Sequence, residues 1–242
     1  MIEGPDLVEA ALASGVEFEA LFVDLKRVDA AMRDLIERAE SAGVRTFALD
    51  GAVFERVADT KTPQGLLASV RLPRAELDAV TGAGTVLVLC DVQDPGNAGT
   101  IIRSSDASGA RAVVFCGQSV DPFNPKTMRA SAGSVFHLPI VVADFDALRA
   151  YCRREVIQLV ASVARGGASP RSVDLAEPSA ILVGNEATGL SAVALSAADL
   201  VVTIPMAGSA ESLNAGVAGS LLAFEAMYQR QGAAERAPRS SL

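Results

Sequence analysis

The sequence is poor in the side chains on which many enzyme sites are built. It contains one histidine, His137, in 242 residues, so a catalytic triad or a multi-histidine metal site would have to centre on that residue. His137 lies at the start of a predicted strand, where a structural role is the ordinary one. The three cysteines, Cys90, Cys116 and Cys152, stand singly without CxxC spacing, which excludes a disulfide framework and a zinc ribbon. The sequence therefore predicts no metal site.

Several common site motifs are also missing. The first apolar strand of the second half is not followed by GxGxxG, and neither GxxxxGK[ST] nor GxSxG occurs. An ordinary dinucleotide site, a P-loop and a hydrolase nucleophile elbow are thereby excluded. Met1 is not followed by a basic segment and a long apolar run, and the apolar stretch from Leu213 to Tyr228 is too short and too polar to span a bilayer. We expect a cytoplasmic protein with no membrane association.

Positive charge is in short supply as well. The chain has 21 Lys and Arg against 29 Asp and Glu, a formal net charge of -8. This argues against unspecific affinity for nucleic acid, because phosphate binding requires cations, but it leaves room for a local basic site. Residues 1–84 hold 9 basic and 15 acidic side chains and residues 85–242 hold 12 and 14, so the acidity is concentrated in the first part.

Hydrophobic residues are plentiful, at 50% of the chain, and they predict two folded units. Residues 1–72 alternate short apolar runs with helical patterns, which predicts a small α/β domain. Residues 73–84 read as a linker, residues 85–230 as a larger α/β domain, and residues 231–242 as a flexible tail. The larger domain has near-continuously apolar strand candidates, which is typical of a parallel sheet buried on both faces. These candidates are Thr85 to Cys90, Ala112 to Phe115, Leu138 to Val142, Val156 to Ala161, Ala180 to Val183 and Leu200 to Ile204.

Three polar loops follow strands of the predicted sheet. The first runs from Asp91 into a helix that carries Arg103, with Asn97 as its expected N-cap. The second spans Gly184 to Leu190, and the third leads from Ile204 to Asn214. Taken singly, each fits an ordinary helix cap or strand-to-helix turn. Because ligands of open parallel sheets bind beyond the carboxyl ends of the strands, the three together favour one ligand site.

A fourth polar stretch lies between the first two loops. It places Lys126 and Arg129 three residues apart at a predicted helix start, where cations oppose the helix dipole. An anionic partner such as a phosphate would explain this placement, and a solvated turn would be the ordinary alternative.

These four stretches, in this order, resemble the SpoU (TrmH-like) branch of the SPOUT RNA 2'-O-ribose methyltransferases, which includes thiostrepton-resistance methyltransferases. The resemblance covers most of Thr85 to Tyr228, and residues 1–72 resemble an L30e-like substrate-binding domain. The matching motifs are Asn97-x-Gly99-x-x-x-Arg103, Gly184-Asn185-Glu186-x-x-Gly189-Leu190, and Ile204-Pro205-Met206 with Glu211-Ser212-Leu213-Asn214.

The resemblance implies an α/β fold in which a trefoil-knotted parallel-sheet domain follows the small L30e-like domain. It also implies S-adenosylmethionine as the cofactor and a homodimer with the active site at the interface. The residues that would hold the cofactor are Gly184, Asn185, Gly189, Ile204, Met206 and Leu213.

The resemblance also implies roles in transfer and in RNA binding. Arginine is protonated at all ordinary pH values, so we expect Arg103 to stabilise charge rather than to act as a base. Asn97, Glu186, Ser212 and Asn214 would position the ribose and orient Arg103. Many relatives carry a basic segment ahead of the position of Ile2, so either a longer native start or a local patch would bind RNA here. The patch residues are Lys26, Arg27, Lys61, Lys126 and Arg129.

The function expected from the sequence is transfer of a methyl group from S-adenosylmethionine to a ribose 2'-OH of ribosomal RNA. Transfer RNA is the alternative substrate. A protein that binds RNA or cofactor without transfer, or a ribosome-assembly factor, is the alternative from another class, and the acidic first domain favours it.

Overall fold

The structure is a computed structural model that describes residues 1–236, and the chain forms two sheets, each accompanied by helices. The first sheet comprises four short strands. Its elements are β1 (Ile2–Glu3), α1 (Pro5–Ser14), β2 (Phe18–Val23), α2 (Ala30–Ser41), β3 (Thr46–Ala48), α3 (Gly51–Val57) and β4 (Leu66–Val70). The strand order is β1-β4-β2-β3, in which β4 pairs antiparallel with both neighbours and β2 pairs parallel with β3. Asp29 and Asp50 begin two of the helices by accepting hydrogen bonds from backbone N–H groups of the first turn.

The second sheet has seven strands, all parallel, in the order β11-β9-β10-β6-β7-β8-β5. Its elements are β5 (Arg74–Ala75), β6 (Thr85–Cys90), α4 (Pro95–Ala107), β7 (Ala112–Cys116), α5 (Pro125–Ala130), β8 (Ile140–Val142), α6 (Phe145–Arg154), β9 (Gln158–Ser162), β10 (Ser179–Val183), α7 (Ala192–Ala197), β11 (Leu200–Val202) and α8 (Ala215–Arg236). All six predicted strands are present. The trefoil threading that the resemblance implies stays a prediction.

Burial explains why the strands read as continuous apolar runs. Every residue of β6, β7 and β10 is buried. Along β6, Leu87 and Leu89 join one hydrophobic core, whereas Val86 and Val88 join the core on the other face of the sheet. Because successive side chains of a strand point to opposite faces, a sheet covered on both sides needs apolar residues at every position.

The predicted linker, residues 73–84, is more ordered than its composition indicates. Arg74 and Ala75 form β5, which pairs with Ile140 and Val141 at the edge of the large sheet. The hydroxyl of Tyr151 donates a hydrogen bond of 2.8 Å to the carbonyl of Val80. The segment is therefore docked on the second domain, because the edge strand β8 offers it unpaired backbone groups.

The predicted tail also differs from the structure. Residues 231–236 continue α8 rather than forming a flexible segment, and residues 237–242 lie outside the described part of the chain. No helix within residues 1–236 is long and apolar enough to cross a membrane.

The two domains touch through β1, α1 and α5. An Arg129 guanidinium nitrogen lies 3.1 Å from a carboxylate oxygen of Asp59 in the first domain. A Cβ atom added at Gly133 would lie 2.5 Å from the Cβ of Ala10, so the backbones approach closely here. The acidic first domain is thus held against the segment that follows β7.

Candidate active site

A cavity of about 610 Å³ lies at the carboxyl edge of the large sheet. Its wall is built by the segments that follow β9, β10 and β11 and by the start of α8. The six residues predicted to hold the cofactor all line it, namely Gly184, Asn185, Gly189, Ile204, Met206 and Leu213. Three of the predicted catalytic residues line it as well: Glu186, Ser212 and Asn214. The structure therefore brings the second and third polar loops to one space of the size of small-molecule sites.

The loop after β10 folds back on itself as a tight hairpin. The backbone N–H of Asn185 donates to the carbonyl of Gly189 over 3.1 Å, and the N–H of Gly189 donates back over 2.9 Å. A Cβ at Gly184 would lie 2.4 Å from the carbonyl carbon of Gly189 and 2.5 Å from the nitrogen of Leu190. Only glycine fits at position 184 without moving backbone, which is why the predicted motif needs it there.

The side chain of Asn185 pins this hairpin to the first polar loop. Its Oδ1 accepts hydrogen bonds from the N–H groups of Ala187 and Thr188, at 2.9 and 3.1 Å. Its Nδ2 donates to the carbonyl of Asp91 over 2.8 Å. Asp91 has a left-handed backbone conformation, with φ of 60°, that costs energy for a non-glycine residue. Sequence reasoning missed Asp91, whose only signal was its position directly after β6.

Asn97 joins all three polar loops. Its Nδ2 donates to Glu186 Oε1 over 2.8 Å, and its Oδ1 accepts from Asn214 Nδ2 over 2.7 Å. The residue is only 8% exposed, so water does not compete strongly for these bonds. The first loop thus reaches the site through Asn97, which fixes the carboxylate of Glu186 and the amide of Asn214.

The prediction that Asn97 is a helix N-cap is wrong. Helix α4 begins at Pro95, and the carboxylate of Asp94 accepts the hydrogen bond from the Asn97 N–H at 2.8 Å. Proline is well tolerated at a first helical position, and aspartate is a strong N-cap, so the Asp94-Pro95 pair sets the helix start. This leaves the side chain of Asn97 free for the bonds described above.

Arg103 lies outside the cavity. Six residues at 1.5 Å per residue place it about 9 Å along α4 from Asn97. It is exposed and makes no ion pair with any residue of the described chain. It shares one side of the helix with Gly99, whose missing Cβ allows contact with α5, and with Asp106, which contacts His137. Arg103 therefore lies near the face of α4 that packs against α5.

The five residues predicted to bind RNA also lie outside the cavity, and two of them already have carboxylate partners. Arg27 pairs with Asp24 at 3.0 Å and with Glu55, and Arg129 pairs with Asp59. Within residues 1–235, no carboxylate pairs with the remaining three, which are Lys26, Lys61 and Lys126. The anionic partner expected for Arg129 is thus present within the chain.

The dipole argument holds for one of the two cations on α5. This helix has only six residues, and Arg129 lies in its last turn, where a cation is favoured. Lys126 is in the first turn and opposes the dipole, as predicted. The prediction that both cations lie at the helix start is wrong, because the helix ends at Ala130.

The histidine and the cysteines lie away from the cavity. His137 Nδ1 is 2.8 Å from Asp106 Oδ2. Burial raises the pKa of Cys116 and of Cys152 to about 12, and it raises the pKa of Cys90 further. These thiols are therefore protonated and unreactive at neutral pH. No group of three or more His, Cys, Asp and Glu side chains within the described residues is arranged to hold a metal ion.

The chemistry of the cavity suits S-adenosylmethionine. Ile204, Leu213 and Leu195 supply an apolar wall against which an adenine ring can pack, and the glycine hairpin forms another part of the lining. Glu186 is the one charged side chain in the described lining. A carboxylate at this place suits a ligand that carries a positive sulfonium.

Sequence families account for nearly the whole chain. Residues 84–224 match the SpoU rRNA Methylase family, and residues 1–82 match the family described as RNA 2'-O ribose methyltransferase substrate binding. The chain is 36% identical over 225 residues to the 23S rRNA (guanosine(2553)-2'-O)-methyltransferase RlmP of Bacillus subtilis, a match that covers 93% of this chain and 86% of the relative.

Solved structures give the same result. The SpoU methyltransferase AviRb from Streptomyces viridochromogenes, in complex with AdoMet, superposes with a TM-score of 0.83 at 30% identity, over 96% of this chain and 90% of the other. An AdoMet-bound rRNA methyltransferase from Sinorhizobium meliloti superposes with a TM-score of 0.82 at 30% identity, over 93% and 85%. Together with the converging loops, these matches show that the chain belongs to the SpoU rRNA methylase family.

Proposed function

We propose that this protein transfers a methyl group from S-adenosylmethionine to a ribose 2'-OH of ribosomal RNA in the cytoplasm. The observation that carries the proposal is the convergence of the second and third polar loops on one cavity, with Asn97 of the first loop hydrogen-bonded to both. Relatives that are named 23S rRNA 2'-O-methyltransferases support ribosomal RNA as the substrate. Transfer RNA remains the second candidate, because solved relatives of lower coverage are named as tRNA-modifying enzymes.

The cofactor is held mainly by backbone. The hairpin at Gly184 and Gly189, Ile204, Met206 and Leu213 line the cavity. When bound, S-adenosylmethionine supplies an electrophilic methyl group on its sulfonium. The protein therefore has to bring a weakly acidic hydroxyl to that group in line and exclude competing nucleophiles.

Arg103 acts on the RNA side of the reaction. We expect this cation to stabilise the negative charge that develops on the 2'-oxygen and to bind an adjacent phosphate, at the edge of the cavity beside it or at the cavity of a partner chain. Asn97, Glu186, Ser212 and Asn214 position the ribose. Glu186 and Asn214 are each held by one end of the Asn97 amide, so the amide fixes their separation.

Replacing Asn97 tests the positioning role. Asn97→Ala removes both hydrogen bonds and leaves Glu186 and Asn214 without their partner. We expect kcat to fall by about 10- to 100-fold, as for other unsatisfied polar groups, while the Kd for S-adenosylmethionine changes less than threefold. Single-turnover methylation and calorimetry measure the two quantities.

The matched control is Ser104→Ala. Ser104 also lies on α4 and bonds to Ser220 of α8 at 2.6 Å, but it does not touch the cavity. We expect it to retain the wild-type kcat. An Asn97→Ala enzyme with unchanged kcat would contradict the positioning role.

The protein is further proposed to act as a homodimer through α8. The helix exposes an apolar stripe at helical spacing, formed by Val217, Leu221 and Tyr228, and the ring of Phe224 lies at a tilt beside that of Tyr228. An apolar stripe of this length on a surface helix is typical of an interface. Arg103, which has no ion-pair partner in the described chain, would then serve the cavity beside it or that of the partner.

Leu221→Asp tests the dimer. A buried carboxylate at the centre of the stripe disfavours association, so we expect the mass in solution to fall from twice 24.9 kDa to 24.9 kDa. Light scattering after size-exclusion chromatography measures it. Val53→Asp in α3 is the control, because Val53 and Leu221 are both 47% exposed, and this variant should keep the wild-type mass. A dimeric Leu221→Asp protein would place the interface elsewhere.

The first domain, although it is acidic, is proposed to bind the RNA substrate together with α5 of the second domain. Three lysines without carboxylate partners in the described chain, together with Arg27 and Arg129, are the proposed contacts. The loop from residue 59 to residue 63 connects them: Asp59 pairs with Arg129, Lys61 lies on the loop, and the carbonyl of Pro63 accepts from Arg27 at 3.0 Å. The basic residues of both domains therefore lie along one junction.

The deciding experiment for the function is methylation of RNA with tritiated S-adenosylmethionine. Unmodified 23S rRNA transcripts and unmodified tRNA are offered separately. The labelled nucleotide is then mapped by the resistance of a 2'-O-methylated linkage to alkaline hydrolysis. Label in the ribose of 23S rRNA supports the proposal. Label in tRNA alone would show that tRNA is the substrate. Cofactor binding without label in either RNA would instead support a binding or assembly role.

A further inference from the structure

The cofactor cavity has no cationic side chain in its described wall. Of the described residues that line it, only Glu186 is charged, and Arg103, Lys126 and Arg129 are not among them. An RNA that presents a ribose at this cavity also presents its phosphodiesters at the mouth. Neutralising those phosphates requires Lys or Arg close to the opening.

Arg165 lies on a rigid loop at this mouth. The N–H of Val163 donates to the carbonyl of Val202 over 2.9 Å, and the N–H of Gly167 donates to Thr203 Oγ1 over 2.9 Å. Gly167 is pressed so closely against β11 that a Cβ there would lie 2.6 Å from the carbonyl carbon of Val202. The loop is thus fixed at both sides of Arg165, and only its tip projects.

The neighbours of Arg165 place it beside the cavity without lining it. Ala164, the residue before it, is part of the wall. The side chain of Arg165 is 76% exposed. A side chain in this position meets a molecule that approaches the opening from outside, whereas the cofactor binds inside.

The guanidinium of Arg165 has a weak carboxylate partner. Glu211 Oε1 lies 3.9 Å from Arg165 Nη2, and the Glu211 side chain is 89% exposed. Glu211 directly precedes Ser212 of the cavity wall, so the pair spans the mouth from one loop to the other. An exposed pair at this distance contributes little to stability, and a phosphate can displace the carboxylate at small cost.

We propose that Arg165 binds a phosphodiester of the RNA substrate at the mouth of the cofactor cavity, where Glu211 holds its place in the free protein. The proposal rests on the proposed function for its substrate class. A guanidinium binds a phosphate through two parallel hydrogen bonds, which a lysine ammonium cannot do. Glu211 competes for the same group, so the two residues should act on RNA affinity in opposite directions.

The test uses unmodified 23S rRNA transcript as the probe, in binding and in methylation. We expect Arg165→Ala to raise the KM and the Kd for this RNA about tenfold, and Arg165→Lys to restore part of the loss. Glu211→Gln should lower both about two- to threefold. For Arg165→Ala, the slope of log Kd against log salt concentration should decrease by about 1, which corresponds to the loss of one phosphate contact. A merely structural role would not produce this change.

The control is Arg171→Ala. Arg171 is 87% exposed and lies 3.8 Å from a carboxylate oxygen of Glu225, a distance similar to that of the first pair, and it does not line the cofactor cavity. It should leave the KM for RNA unchanged. Equal losses for Arg165→Ala and Arg171→Ala would overturn the proposal in favour of general surface charge.

Two other outcomes separate this proposal from the proposed function. If Arg165→Ala raises the Kd for S-adenosylmethionine and not that for RNA, Arg165 binds the cofactor carboxylate and the proposal is overturned. If the wild-type protein binds the transcript in an Arg165-dependent manner but transfers no methyl group, the proposed function fails while the phosphate site stands. Wild-type transfer with no effect of Arg165→Ala overturns the site alone.

Discussion

Arg103→Ala is expected to abolish methyl transfer while the affinity for S-adenosylmethionine stays within about twofold. Removing one group that stabilises developing charge typically costs 10²–10³ in kcat, so almost no transfer should remain. Affinity is spared because Arg103 lies outside the cavity, about 9 Å along α4 from Asn97. Single-turnover methylation of 23S rRNA and calorimetry with the cofactor measure the two effects.

The same replacement should not disturb the fold. Arg103 is exposed and has no ion-pair partner in the described chain, so the melting temperature should stay within the range of ordinary surface variants. Arg103→Lys keeps the charge and loses the planar pair of donors, and it should retain a small part of the rate. A loss of cofactor affinity in Arg103→Ala would assign the residue to the cofactor and contradict its role on the RNA.

The features that could be predicted from the sequence are those that short stretches determine by themselves. The strand from Thr85 to Cys90 was predicted with both its ends, because five apolar residues in a row after Thr85 fit a strand buried on two faces. The convergence of the loops followed from one rule, that parallel strands end at the same edge.

The features that escaped prediction depend on partners far away in the chain. Arg129 is paired with Asp59, seventy residues earlier, and no local pattern announces the contact. Arg74 and Ala75 form a strand only because β8 offers them an open edge. The helix start at Asp94-Pro95 is different, because its signal is local. Asn97 is also a favourable N-cap residue, and the sequence alone did not distinguish it from Asp94.

The site shows the same division. The glycines at 184 and 189 could be singled out from the sequence, whereas the amide bridge from Asn97 to Glu186 and Asn214 could not, since it spans 89 and 117 residues. Arg165 belongs to none of the sequence motifs. Its position at the mouth follows from the anchoring of its loop to Val202 and Thr203.

Gly184→Ala is expected to remove cofactor binding, with a Kd for S-adenosylmethionine raised at least about 100-fold, or beyond measurement. The added Cβ would lie 2.4 Å from the carbonyl carbon of Gly189 and 2.5 Å from the nitrogen of Leu190. These are backbone atoms, so no side-chain rotation relieves the overlap, and the hairpin has to move. Because this hairpin forms one wall of the cavity, its displacement changes the shape that the ligand must fit.

The cost to stability should be moderate, about 1–3 kcal/mol, which is the usual range for an overpacked site. Gly208→Ala is the matched control: it makes the same substitution in the loop after Met206, where a Cβ meets nothing within 4 Å, and it should bind the cofactor as the wild type does. Calorimetry and thermal unfolding of both variants separate loss of binding from loss of fold. A folded Gly184→Ala protein with wild-type affinity would mean that the ligand does not depend on the hairpin, and the cofactor would have to be assigned to another surface.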